Sequence, residues 1–376
     1  MQINIFKDYV NTFWKNIDKK IFFGFLLLFI LGIFFSFSST SFLAGERLNK
    51  DYYFFFSKHL IFAFFSIFLM IFISSIKVEI IKKFLIPIFI LLMIALILVL
   101  VVGVEVKGSR RWLNLIFFRF QPIEFIKPFF ILITAKILSR ENFSISNMSY
   151  FLSFVILLIL VVLLANQPDI GQSILLFGTW MSIIFVSGVN LFYIFIFLAA
   201  SVGLLAVMLL SLPNKFGYII ERFQTFFDPS TGNSFQAQGA LDAIKQGGLT
   251  GQGMGEGILK DSVPEAHTDY IISVITEEFG SLISILLISI FLYISLRIIK
   301  STILEKEKFI KISLAGLSSI LIFQTFIHIG VNTSLLPTTG MTLPFISYGG
   351  SSMIGSSILA GIILNFTKKR FLYEEI

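Results

Sequence analysis

Residues 84–104 read FLIPIFILLMIALILVLVVGV, with no charged side chain anywhere in the run. A helix rises 1.5 Å per residue, so such a run crosses the roughly 30 Å of hydrocarbon in a bilayer. A barrel strand is shorter and alternates apolar with polar, which this run does not. The same reading applies to residues 21–39, IFFGFLLLFILGIFFSFSS, and to most of the chain. Of 376 residues, 56% are hydrophobic and 47 are phenylalanine, and the mean hydropathy is +0.91. A soluble domain is less apolar, and the excess here lies in long blocks. The fold class is therefore all-α, a polytopic integral membrane protein.

Ten spans are expected, near 21–43, 53–76, 84–104, 121–138, 150–167, 171–188, 191–212, 270–298, 309–333 and 350–366. The first follows a polar start and lacks a small-residue cleavage site, which marks an anchor and not a removed signal. The chain reads as one membrane domain, 1–376, with an N-terminal segment 1–20 and a tail 367–376. Its single long connection, 213–269, lies between spans 7 and 8. Lys77, Lys82, Lys83, Lys136, Arg140 and the basic tail Lys368–Arg370 share one side with the N-terminal lysines. By the positive-inside rule that side is cytoplasmic, both termini lie on it, and the long connection faces outward. The net charge of +7 is thus mostly topology and implies no nucleic-acid partner.

The absence of cysteine removes disulfides, thiol catalysis and cysteine metal sites. The three histidines, His59, His267 and His328, lack ligand spacing. GGLTGQGMGEG (247–257) has the glycine content to approach a ligand or close as a flap, but matches neither nucleotide-binding fingerprint. SYGGSS (347–352) is not a strand–turn–helix nucleophile elbow.

The outward side should be poor in cations, yet Lys107, Arg110, Arg111, Arg119 and Lys127 cluster there. Two readings stand: side chains snorkelling at the headgroups beside Trp112, or an anion site for a phosphate-bearing lipid. Glu124 and Lys127, at i and i+3 after Pro122, can pair on one helix face. The pair either fixes helix packing or serves a site, since charges inside a span are costly. Asp169 sits at a Pro-Gly break where it can cap the following helix. Residues 215–244 read as an amphipathic stretch, a turn at DPSTGN (228–233) and a second helix. VPEAHTDYIISVITEEFG (263–280) then sets Glu265, His267 and Asp269 at the water–lipid boundary. Glu277 and Glu278, two turns on, are assigned to the helix bundle, and His267 to a structural hydrogen bond.

GSRRWLNL (108–115), FRFQPIEFIK (118–127), QPDIGQSILL (167–176), GALDAIKQGGLTGQGMGEG (239–257), PEAHTDYIISVITEEFG (264–280) and LLPTTGMTLPFISYGGSS (335–352) together resemble the SEDS family. These are the shape, elongation, division and sporulation proteins. The order and spacing fit over nearly the whole chain, and GQGMGEG with GMTLPFISYGGSS is nearer the division branch than the elongation branch. Gly239, where many members have Ser, and the charged Asp242–Lys245 stretch depart from the pattern.

The resemblance implies a ten-helix peptidoglycan glycosyltransferase of the bacterial inner membrane that polymerises lipid II at the outer face during division. Lipid II is a disaccharide-pentapeptide on undecaprenyl pyrophosphate. The resemblance also implies work beside a class B penicillin-binding protein and other division proteins at the septum. By it Asp269 is the catalytic residue. Arg110, Arg111, Glu124, Lys127, His267 and Ser347 carry over as substrate-binding positions. No cofactor is required by the residues, though a divalent cation (Mg or Mn) accompanying the pyrophosphate is compatible with them. A lipid II flippase and an elongation-type polymerase are the alternatives.

Overall fold

The computed structural model describes residues 11–39, 53–106, 108–115, 119–139, 146–228, 235–259, 263 and 265–368. Lys107, Arg140, Pro264, Lys369, Arg370 and all but the first residue of the 228–233 turn lie outside them.

Helices form where the apolar blocks lie. They are α1 (Lys19–Ser39), α2 (Phe54–Ser75), α3 (Val78–Val102), α4 (Pro122–Leu138), α5 (Ser146–Ala165), α6 (Ile170–Val186) and α7 (Leu191–Ser211). After the long connection come α10 (Ile271–Leu304), α11 (Lys308–Asn332) and α12 (Gly350–Phe366). The connection itself holds α8 (Pro213–Phe227) and α9 (Phe235–Gly247), the two helices expected there. Among the described residues seven helices are long and apolar enough to cross a membrane. α6 and α12 are apolar but shorter, and α4, also 17 residues, carries Glu124, Lys127 and Lys136. The protein is a multi-pass, all-α membrane protein; the count of ten spans rests on these three shorter helices as well.

One local departure from all-helix matters for the site. The segment expected as a plain outward loop after α3 is a small antiparallel sheet, β1 (Val104–Val106), β2 (Ser109–Asn114) and β3 (Arg119–Phe120), in that order. Glu105 pairs with Arg110 and Leu113 with Phe120 across it.

α11 and α12 are buried along almost their whole lengths, with α4 against both. Bare backbone permits that closeness: a Cβ added at Gly355 of α12 would stand 2.5 Å from the Glu124 carbonyl. α7 is the opposite case, with Phe197 its one buried residue and its apolar faces turned outward.

α10 is two helices joined at a break. Gly280 has φ +83° and ψ 165°, outside helical space. The glycine-rich segment fills the gap: Gln252 N and Gly253 N donate to the carbonyls of Glu277 and Glu278 at 2.9 Å each, and Ser281 N donates to Gly248 O at 2.9 Å. The buried Glu277 carboxylate accepts from Leu259 N at 2.7 Å, and Ser38 Oγ donates to Glu278. Both glutamates therefore serve the bundle, Glu277 by holding the glycine segment down.

Candidate active site

A cavity of about 1010 Å³ opens between the β1–β3 sheet, the N-terminal end of α2, the turn before α10 and the segment leading into α12. Asp269, His267, Arg111 and Arg119 line it, with Lys58 on the α2 side.

Asp269 sits on a tight turn. Glu265, at φ +60°, lets its carbonyl accept from the amides of Thr268, Asp269 and Tyr270 at 3.0, 3.1 and 3.3 Å. Thr268 Oγ1 adds a 2.9 Å bond to the Glu265 carboxylate. The segment before α12 clamps this turn from the other side. Ser347 Oγ donates to Thr268 O at 2.6 Å and accepts from Leu343 N at 2.8 Å, while Tyr348 N donates to His267 O at 2.9 Å. Ser347 is buried and acts on the loop that carries the acid.

Strand alternation sorts the two arginines, because neighbouring side chains of a strand point to opposite faces. Arg110 turns out to solvent and pairs with Glu105 at 3.3 Å. Arg111 turns in and is buried. Its Nε donates to Gln167 O at 3.2 Å, Nη2 donates to Pro168 O, and Asp169 lies 3.7 Å away. Arg111 and Asp269 converge on Gly340, at φ +71°: a Cβ there would stand 3.5 Å from both Arg111 Nη1 and Asp269 Oδ2. A fixed cation and a carboxylate thus come together beside a bare backbone position.

Asp169 caps α6 by accepting from Gln172 N at 3.4 Å. Burial pushes its carboxyl above the ordinary range, against the opposing pull of Arg111. Arg222 of α8, which sequence reasoning did not select, also faces Asp169 and donates to Thr338 O at 3.3 Å.

Glu124 and Lys127 lie beneath the cavity, outside its lining, paired at 2.7 Å and nearly fully buried. Gln172 Nε2 donates to Glu124 at 2.8 Å and Lys127 Nζ donates to Gln324 Oε1 at 3.1 Å, so each charge has a neutral partner besides the other. His267 lines the cavity within an aromatic group, its ring centroid 5.5 Å from Phe55 and 5.7 Å from Tyr348. The structure brings Asp269, Arg111 and His267 to one cavity and sets Glu124, Lys127 and Ser347 behind its walls, with Arg110 outside. Lys58, which also lines the cavity, lies outside every quoted motif, and Tyr348 lies within SYGGSS without having been singled out. Among the described residues no three His, Asp or Glu side chains converge to hold a metal ion.

Residues 18–371 match the family described as cell cycle protein, FtsW/RodA/SpoVE. A relative named probable peptidoglycan glycosyltransferase FtsW from Pasteurella multocida is 33% identical over 92% of this chain and 89% of its own. The protein of that name from Caulobacter vibrioides is 33% identical over 96% and 92%. Among solved structures, a chain of a peptidoglycan synthase complex coordinating polymerization and crosslinking superposes with a TM-score of 0.75, at 24% identity over 93% of this chain and 97% of that one. The rod shape determining protein RodA of Thermus thermophilus gives 0.68, at 24% identity over 93% and 96%. The fold is therefore shared with these structures, and with a family match spanning nearly its whole length the chain belongs to the FtsW/RodA/SpoVE family, the SEDS proteins.

Proposed function

We propose that the chain is a peptidoglycan glycosyltransferase that joins lipid II units, with Asp269 as the general base. The observation that carries this reading is the convergence of Asp269 and Arg111 beside Gly340 on the wall of a cavity of about 1010 Å³. The names of its relatives support the activity, and their form favours the division branch.

In the reaction a sugar hydroxyl attacks the anomeric carbon of a second unit. The new C–O bond forms as the bond from that carbon to the pyrophosphate oxygen breaks. The proton goes to the Asp269 carboxylate, which contributes about 10²–10⁴-fold as a positioned base. The pyrophosphate lipid leaves with the bonding electrons and needs charge stabilisation more than a proton. Arg111, with Arg119 and Lys58 further along the wall, supplies it. One base opposite the leaving group gives inversion, an α-linked donor yielding a β-linked strand, unlike the two-carboxylate arrangement of a hydrolase. His267, Phe55 and Tyr348 gather their rings in the cavity wall, a surface suited to packing against a sugar.

The reading includes cytoplasmic termini, a cavity on the outer face, a septal location and a class B penicillin-binding protein as partner. The Lys and Arg distribution supports the orientation. The test is purified protein, with and without such a partner, given labelled lipid II and assayed for glycan length. Wild type should make polymer, and Asp269→Ala should make none while keeping its fold and partner binding. Undiminished polymer from Asp269→Ala removes the base from the mechanism. No polymer from wild type under any condition returns the cavity to a transport role.

A further inference from the structure

Within the stretch FQTFIHIGVN (323–332), α11 carries Gln324, His328 and Asn332 at intervals of four residues. Side chains at that spacing lie along one face of a helix. All three are buried, and a polar side chain in such a place costs free energy unless it is hydrogen-bonded. Apolar residues of similar size would fill the space without that cost, so the partners are informative.

Each of the three donates to a backbone carbonyl of a segment that builds the cavity wall. Gln324 Nε2 donates to Thr342 O at 3.0 Å, and His328 Nδ1 to Met341 O at 2.8 Å. Asn332 Nδ2 donates to the carbonyl of Asp269 itself at 3.0 Å. Asn332 Oδ1 accepts from both N and Oγ of Ser273, at 3.2 and 2.9 Å, which secures the first turn of α10. Gln324 Oε1 meanwhile accepts from Lys127. A carbonyl opposite Nδ1 requires the His328 proton there. Among the described residues the contact to Met341 is the one hydrogen bond of this imidazole.

The two segments held this way are the turn 265–270 and the strip 338–342, neither of which is helix or strand. Arg222 secures the far end of the strip through Thr338 O. Gly340 lies between the fixed carbonyls, and both Asp269 and Arg111 come close to it. We propose that Gln324, His328 and Asn332 are positioning residues that hold the Asp269 turn against the Gly340 strip, beside Arg111, by tying both segments to one buried helix. The proposal rests on the reading of Asp269 as the reacting acid. None of the three touches substrate; they act through the backbone.

The test uses full-length protein and labelled lipid II. Misplacing a reacting group by about 1 Å can cost on the order of 100-fold. His328→Leu and Asn332→Leu should therefore lower kcat by about 100-fold while KM changes less than about threefold, since ground-state binding is untouched. His328→Gln restores a donor toward Met341 and should recover about tenfold or more over His328→Leu. Ser319→Ala, off this face, should match wild type. Hydrogen–deuterium exchange supplies a readout that needs no catalysis: residues 265–272 and 338–343 should exchange faster in the leucine variants, with α12 unchanged. Should Asn332→Leu not accumulate, the two His328 variants carry the comparison.

A wild-type kcat in the leucine variants overturns the proposal, as does a KM rise at constant kcat, or exchange unchanged at both segments. If Asp269→Ala keeps activity while the exchange changes appear, the tie stands and the base assignment alone has failed.

Discussion

Arg110 and Arg111 are adjacent and chemically identical, and sequence gave no reason to separate them. The strand that carries them does so, because its period of two sends one outward to Glu105 and the other inward to the Gln167–Asp169 turn. Arg111→Ala should therefore abolish most glycan synthesis and Arg110→Ala should leave it near wild type. The turnover of each at saturating lipid II decides this, and equal losses would mean that the sheet does not hold this register. The alternation VEVKGSRRWLN was present in the sequence but was overshadowed by the apolar blocks on both sides. Asp169 was legible as a cap from its place before α6, and the structure confirms the cap. What the sequence did not disclose is the depth of its burial. Because burial raises the carboxyl from its ordinary 3.8, the native chain keeps a proton that the unfolded chain has already released. Stability therefore falls as pH rises through the interval above 3.8. Thermal unfolding across that interval should show a flatter pH slope for Asp169→Asn than for wild type; identical slopes would place the source elsewhere.

Among the elements, the glycine-rich segment changes meaning most. From sequence it read as a flap or ligand cradle, and the structure shows it hydrogen-bonded to the break in α10. The requirement for glycine is steric. A Cβ at Gly251 would collide with the Glu278 carbonyl, and one at Gly280 with the Leu249 carbonyl, each at a positive φ as well. Gly251→Ala should destabilise by more than about 1 kcal/mol and open the segment to protease. Gly203→Ala, helical and with nothing near its Cβ, should do neither. Limited proteolysis with melting curves separates the two variants, and equal behaviour would deny the docking. Glu124 and Lys127 were readable as an i, i+3 pair, and the pair forms at 2.7 Å. Their links to Gln172 and Gln324 were not readable, because those partners lie 48 and 197 residues away in sequence.

For the whole molecule, the apolar blocks located the helices to within a few residues, except that α3 starts earlier, at Val78, with Lys82 and Lys83 in its first turns, and α10 runs on to Leu304. Long hydrophobic runs are redundant signals, whereas the site depends on segments far apart that only folding brings together. The orientation is testable directly because the chain has no cysteine of its own. A cysteine at exposed Gln238 should react with an impermeant maleimide in intact cells, and one at exposed Lys300 only after permeabilisation. The reverse pattern would invert the topology. The break at Gly280 has one more consequence. It divides α10 into a short buried head, Ile271–Phe279, and a long shaft with lipid-facing side chains such as Leu282, Leu286 and Leu296. A rigid rod would lever its tip sideways whenever bilayer thickness forced its shaft to tilt. Here the glycine segment bonds to both sides of the break, Gln252 and Gly253 to the head and Gly248 to the shaft, and so braces the head, and the carboxylate just before it, against that leverage.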